Sequence, residues 1–214
     1  YRHNDYLSLD TGRNARLQSY SKAISYISKK NGCVIRLGQK IEKKIKSKNF
    51  IDYGSSKYKS EFLDIYIISK AKFHIGTVSG LSFIPIIFGK TKNVLTNINP
   101  PNFAFGLGSI GVPKLYKSIK NKKFLRYTDY QKLDPPHFFS GNTTLKNIDL
   151  KVYDNKQNDI FEAVKELNEN FENKNWFKEL RKRQTYLPKY SKNIFLQNRI
   201  PLAKMFIKRY KHLL

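Results

Sequence analysis

Between residues 14 and 97 the chain alternates four times between an amphipathic stretch and a short apolar run closed by a turn residue. Leu17, Tyr20, Ala23, Ile24 and Ile27 fall at helical spacing, and Asn31-Gly32 ends that segment. Residues 33–37 form a compact apolar run of the kind found in strands buried on both faces, and Gly38 closes it. A lysine-rich stretch, 41–48, has the pattern of a solvated helix. Phe50-Ile51-Asp52-Tyr53 reads as a strand ending in an acid, with Ser55-Ser56 placed to cap the helix marked by Phe62, Ile65, Tyr66 and Ser69. Phe73-His74-Ile75 is the next strand, Ile84, Ile87 and Phe88 the next helix closed by Gly89, and Asn93-Val94-Leu95-Thr96 the last strand. Helix and strand in strict alternation predict an α/β fold: a parallel sheet with crossover helices, Rossmann-like in organisation. Such sheets bind ligands where strand carboxyl ends meet helix amino-termini. The positions to inspect are therefore 36–38, 52–53, 76–80 and 97–101.

After residue 100 the pattern loosens. Gly106-Leu107-Gly108-Ser109-Ile110-Gly111 has the letters G-x-G-x-x-G but follows Pro100-Pro101-Asn102 and leads into Val112-Pro113, so the strand-before, helix-after context of a dinucleotide fingerprint is missing. A loop, one able to fold over a ligand, is expected there. Ile160, Val164, Leu167 and Phe171 mark an amphipathic helix, and Leu202, Met205, Phe206, Tyr210 and Leu213 make a stripe in a basic tail. That stripe suits packing onto the fold or contact with an anionic membrane.

The chain has 214 residues, 40% of them hydrophobic, which is enough for a sizeable core and excludes global disorder. No stretch approaches the roughly 20 apolar residues of a membrane span. Cys33, the single cysteine, stands in an apolar run and is expected as a buried structural thiol in a reducing, cytoplasmic setting; it excludes an internal disulfide and a cysteine-based zinc site. Lys plus Arg is 41 against 16 Asp plus Glu, a net charge of +25. Such a charge favours anionic partners or reflects a compositional habit.

Gly76-Thr77-Val78-Ser79-Gly80 is the sharpest local signal. A strand leaving through glycine and hydroxyl residues exposes backbone N–H groups at a helix start, where the dipole attracts phosphate; the competing reading is a tight corner with Ser79 as helix cap. Arg2, ahead of a polar stretch, has the chemistry to clamp a diphosphate, and Arg13 beside the helix cap Asn14 has the chemistry to face the same crevice. Arg36 at a strand end needs either an anionic ligand or a neighbouring acid such as Asp52. The histidines show no metal-ligand spacing, and His74 on a strand suits a satisfied core residue.

Taken together, R-H-N-D-Y, G-R-N-A, C-V-I-R-L-G, F-I-D-Y, the block S-E-F-L-D-I-Y-I-I-S-K-A-K-F-H-I-G-T-V-S-G-L, I-F-G-K-T and the terminal N-R-I-P-L-A-K-M-F-I-K-R-Y-K-H-L-L resemble a family of bacterial glycosyltransferases known mainly from surface-polysaccharide gene clusters. That family is similar in turn to GT-B-fold, fucosyltransferase-like enzymes with an H-x-R loop. The resemblance implies that residues 1–214 are a single donor-binding α/β domain with a helical tail, the carboxy-terminal half of a GT-B fold, with the acceptor domain expected upstream of Tyr1. It implies that Arg2 and the turn Gly76, Thr77, Ser79 and Gly80 hold the diphosphate of a nucleotide-sugar donor. Asp64 would help organise the donor pocket, with Arg13, Asn14, Arg36, Gly38, Asp52 and Tyr53 around it, and Asp10 or Asp5 would serve as catalytic base. The acceptor would be a glycan or a lipid-linked glycan, at the inner membrane face if the basic tail touches lipid. No metal cofactor is expected, because arginine and helix amino-termini can stabilise a leaving diphosphate. Two other readings stand beside this one: a GT-B-fold sugar-nucleotide epimerase using the same phosphate corner, and a basic nucleic-acid-binding domain, which the lack of any RNA or DNA motif disfavours.

Overall fold

The computed structural model describes residues 15–38, 45, 47–89, 91–98, 109–132, 150–186 and 199–214. A 3₁₀ turn, Leu17–Tyr20, runs into helix α1 (Ser21–Lys29), which stops where Asn31 takes a left-handed conformation (φ 59°). Strand β1 (Val34–Ile35) pairs in parallel with β2 (Phe50–Ile51). Helix α2 (Glu61–Lys70) follows, then β3 (Phe73–Gly76), α3 (Gly80–Phe88) and β4 (Lys92–Ile98). Apart from the helix expected over 41–48, these are the alternating elements read from the sequence; within that stretch residues 41–44 and 46 lie outside the described residues, and 45, 47 and 48 are not helical. The helix cap is corrected: Ser60, not Ser55 or Ser56, accepts from Leu63 N–H (3.2 Å) to open α2.

Strands β3, β4 and β5 (Ser109–Pro113) form a three-stranded parallel sheet with β4 in the centre. The fold is thus mixed α/β with parallel sheets. β5 corrects the loop expected over 106–111: Ser109, Ile110 and Gly111 lie in a buried strand, while 106–108 fall outside the described residues. Gly111 is small because the methyl ends of Ile200 and Ile98 press on it, 2.8 and 2.9 Å from where a Cβ would stand. Beyond β5 the tail returns, with Gly111 N–H donating to the Pro201 carbonyl (2.8 Å) and Ala203 N–H to the Gly111 carbonyl (3.1 Å). A parallel bridge at Leu202 therefore extends the sheet by one short rung. A separate antiparallel pair, β6 (Leu115–Ser118) with β7 (Leu150–Tyr153), was not legible in the sequence.

Alternation along β4 places the helices. Asn93 bonds the Ser82 carbonyl of α3 (2.8 Å), whereas Thr96, three positions on and so on the opposite face, bonds Tyr20 just ahead of α1 (2.6 Å). Helix α3, with α2 beside it, covers one face. Helix α1, with α4 (Gln157–Glu169), covers the other. On α4, Ile160, Val164 and Leu167 are fully buried, as their spacing predicts.

Helix α4 also carries two buried acids that fasten the carboxy-terminal elements. Asp159 accepts from the guanidinium of Arg209 and from Tyr210 Oη (3.2 Å) on α6 (Lys204–Tyr210). Glu166 accepts from Arg183, from Trp176 Nε1 (3.1 Å) on α5 (Lys174–Lys182), and from Lys204 N–H (2.7 Å), the first amide of α6. The tail stripe is consumed by these contacts: Leu202, Phe206, Tyr210 and Leu213 are buried in the core. Of the two uses expected for it, packing onto the fold is the one observed.

Two further expectations are corrected. Cys33 is exposed rather than buried, and β1 is covered on one side only, with Ile35 and Ile51 facing solvent. Among the described residues no helix covers the second face of this two-strand ladder, so an apolar run of five there does not become a doubly buried strand.

Truncating Leu202 to alanine is expected to cost about 2–5 kcal/mol, the range for a fully buried leucine, whereas Ile87→Ala on the surface of α3 should cost no more than about 0.5 kcal/mol. Denaturant titration of both variants checks this; equal losses would mean that the tail is not an integral layer.

Candidate functional site

Strands β3 and β4 bring several polar side chains into the core, His74 and Asn93 near their amino ends and Thr96 and Asn97 near the carboxyl end of β4. His74 and Asn93 are directly opposite across the β3–β4 ladder, and His74 Nδ1 lies 2.9 Å from Asn93 Oδ1. Because Asn93 Nδ2 donates to the Ser82 carbonyl, its oxygen faces the imidazole, which assigns the proton to Nδ1 and leaves Nε2 as an acceptor. Burial lowers the His74 pKa below its ordinary 6.5, with the Asn93 hydrogen bond opposing in part, so the ring is held neutral. The ring lies over Gly76: a Cβ there would sit 2.9 Å from His74 Cε1 and 3.2 Å from Nε2. Gly76 is therefore a glycine because of its own strand neighbour two residues back.

Gly80 is different. Nothing lies within 4 Å of a Cβ built on it, and both it and Ser79 are exposed. Ser79 and Ser82 form a capping box at the start of α3; the Ser82 hydroxyl accepts from Ser79 N–H (3.0 Å) and donates to the Ser79 carbonyl (2.7 Å). This organises the first turn from the core side and leaves the solvent side of the corner open. Thr77 is half-buried. Gly76, Thr77, Ser79 and Gly80 thus stand together at one strand-to-helix corner of the parallel sheet.

Beside the corner, at the end of β4, Thr96 Oγ1 bonds the Gly76 carbonyl (3.1 Å) and Tyr20 Oη. Burial raises the Tyr20 pKa above its usual 10.0 despite the hydrogen bonds that would lower it. Asn97 takes a left-handed conformation (φ 51°) and exchanges hydrogen bonds with Asn155 just ahead of α4. Its N–H donates to Asn155 Oδ1 (2.5 Å) and its Oδ1 accepts from Asn155 N–H (2.7 Å). Asn97 Nδ2 is buried and has no partner among the described residues. The sequence marks 97–101 as a place to inspect but does not single out Tyr20, Asn93, Thr96 or Asn155 as site residues. The available signal was the polar interleaving of Asn93, Thr96 and Asn97 in an otherwise apolar strand.

A second group lies at the ends of β1 and β2. Arg36 Nε donates to Asp52 Oδ1 (2.6 Å), Nη1 to the Leu37 carbonyl (3.0 Å) and Nη2 to Ser55 Oγ (3.1 Å). Of the two partners considered for this guanidinium, the acid is the one present. Desolvation pushes the Asp52 pKa up, but the hydrogen bonds from Ser55 and Arg36 and the Arg36 charge outweigh it, and the net shift is downward from 3.8. Gly38 (φ 93°) and the buried Gly54 let two turns meet here: a Cβ on Gly54 would lie 2.6 Å from the Gly38 carbonyl and 2.8 Å from Arg36 Nη2. Tyr53 is buried, its hydroxyl accepting from Ser60 N–H (2.8 Å), which ties the node to the start of α2. Asp64 stands in the first turn of α2, half-buried, with Oδ1 sheltered from solvent and without a partner among the described residues. The two groups sit at the ends of different sheets. Arg2, Asp5, Asp10, Arg13 and Asn14 lie outside the described residues.

Among the described residues no set of three or more His, Cys, Asp or Glu side chains comes together, and no helix is long and apolar enough to cross a membrane. A cavity of about 220 Å³ opens beside Glu166, lined by Asn170, Asn173, Trp176, Glu179, Arg183 and Lys204. Its central carboxylate is committed to the structural hydrogen bonds given above. No protein-family model, curated protein or solved structure matches the chain.

The neutral His74 ring makes stability pH-dependent in a defined window. Below about pH 6.5 the unfolded chain binds a proton that the folded chain refuses, so stability falls as the pH falls through that value toward the lower folded pKa. Denaturation midpoints measured between about pH 7.5 and pH 5 should decline in the native chain and flatten in His74→Gln. The Asp52 pair acts only below its unperturbed 3.8 and does not confuse the result. Parallel slopes for the two proteins would show that His74 titrates freely.

Proposed function

We propose that this chain is the donor-binding half of a glycosyltransferase of GT-B type, Rossmann-like in its sheet, which holds a nucleotide-sugar by its diphosphate at the corner between β3 and α3. The observation that carries the reading is that corner: a glycine-hydroxyl turn at the carboxyl edge of a parallel sheet, capped from inside by Ser82 and open outside at Gly80. Backbone N–H groups at the start of α3, with the Thr77 and Ser79 hydroxyls, are donors suited to phosphate oxygens, and the helix dipole favours the negative charge. The motif resemblance drawn from the sequence points the same way.

In this proposal Arg2 supplies the positive charge, and Asp10 or Asp5 supplies the base that takes the proton from the attacking acceptor hydroxyl as the anomeric carbon–oxygen bond to the diphosphate breaks. The Arg36–Asp52 pair has another role. A guanidinium already bound to a carboxylate, a carbonyl and a hydroxyl is a strut that shapes the nucleoside or sugar pocket, with Gly38, Tyr53 and Asp64 around it. His74 Nε2, an acceptor beside Gly76, suits a hydroxyl donor on the ligand rather than a phosphate.

Gly80→Val is the discriminating variant. Among the described residues nothing lies within 4 Å of a Cβ at position 80, so a side chain there meets none of the fold's described atoms and reports on what occupies the corner. Gly76→Ala would be ambiguous, since it collides with His74. Isothermal titration with UDP-, GDP- and ADP-sugars and the free nucleotides should show binding to the native chain, weakened about ten-fold or more in Gly80→Val, a loss of about 1.4 kcal/mol or more, with an unchanged melting temperature. Absence of binding to every one of these ligands, or equal binding by the variant, overturns the proposal.

A further inference from the structure

Helix α3 is apolar around nearly its whole circumference, with Ser82 the one polar side chain between Leu81 and Phe88. Such a helix is ordinarily covered on all sides. Here the core takes only the side bearing Ser82, Ile84 and Pro85. Ile87 is 76% exposed and Phe88 50%. The neighbouring α2 does the same: Phe62 (72% exposed), Ile65 and Tyr66 fall on one stripe at i, i+3 and i+4 and face outward, and Tyr58 (68% exposed) stands just ahead of the helix. The rings of Phe62 and Tyr66 stack with centroids 6.2 Å apart. Two adjacent helices thus each present large apolar side chains to the outside, more than scattered surface hydrophobics would give.

The charge pattern selects the occupant. At +25 the chain repels a second copy of itself and is drawn to anionic surfaces. Lysines stand at the edge of the apolar face and over its aromatic rings, Lys57 Nζ 5.2 Å from the Tyr58 centroid and Lys70 Nζ 5.7 Å from that of Tyr66. Exposed phenylalanine and isoleucine, tyrosine and lysine over the tyrosine rings are the residue types suited to a lipid headgroup region. The basic tail is not available for this contact, because its stripe is buried in the core.

We propose that the outer face of α2 and α3 seats this chain on an anionic lipid bilayer. Phe62, Ile65, Tyr66, Ile87 and Phe88 enter the boundary between headgroups and acyl chains, and Lys57 and Lys70 meet lipid phosphates. The contact is peripheral, since among the described residues no helix can span a bilayer. It does not depend on the nucleotide-sugar reading.

The test uses vesicles of mixed phosphatidylglycerol and phosphatidylcholine, with pure phosphatidylcholine as control. The native chain should co-sediment with the mixed vesicles, less so at high salt. Phe62→Ser/Ile87→Ser, two changes at exposed positions, should lower the partition about ten-fold or more while the melting temperature holds. Phe62→Trp and Ile87→Trp give a second readout: the native Trp176 is buried against Glu166, so a blue shift on adding mixed vesicles reports entry of the new indole. The proposal is overturned if the serine variant binds as the native chain does and neither tryptophan shifts, the signature of charge-driven adsorption alone. It is equally overturned if the native chain ignores the vesicles. Sedimentation equilibrium showing a dimer that the serine variant dissolves would assign the face to a second copy instead.

Discussion

Strand β4 carries three polar side chains into the core, and each is bonded to a different part of the chain. Asn93 reaches α3 through the Ser82 carbonyl and β3 through His74. Thr96 reaches the Gly76 carbonyl and Tyr20, ahead of α1. Asn97 exchanges two hydrogen bonds with Asn155, ahead of α4. An apolar residue at any of these positions would free a buried donor or acceptor elsewhere, at a cost of about 1–3 kcal/mol each. Both helix layers and the neighbouring strand are indexed to this one strand, and the corner at 76–80 inherits its geometry from that indexing.

The amino-terminal half was legible because its signals are local. The apolar spacing of α1, the glycine after each strand and the run from Asn93 to Thr96 lie within a few residues of the structure they specify. In the second half the spacing of α4 and of the tail stripe was legible, but the strands were not, because they are defined by distant partners. Residues 109–113 look like a glycine loop and become a strand through pairing with β4 on one side and residues 201–203 on the other. Strands β6 and β7 find each other across more than 30 positions, as their register from Leu115↔Tyr153 to Ser118↔Leu150 shows. Cys33 failed as a core residue for a related reason: an apolar run reports what a strand could bury, while the layers around it decide what it does bury.

The candidate site divides along the same line. That the corner at 76–80 would stand at a strand-to-helix junction followed from letters alone. Why each glycine is there did not. Gly76 accommodates an imidazole, Gly80 has open space, and Gly54, which the sequence did not single out, accommodates a guanidinium and a carbonyl. Arg36 also had two chemically reasonable partners in the sequence, and only the meeting of the ends of β1 and β2 decides for Asp52.

The return of residues 201–203 to the outer edge of β5 has a temporal side. The rung at Leu202, the Glu166 bond to the first amide of α6 and the Asp159 bonds to Arg209 and Tyr210 all require residues 202–210, which lie far downstream of β5. On the ribosome, the parallel sheet and the inner surface of α4 wait with one flank uncovered until those residues have emerged, so the window for misassociation stays open over the whole interval.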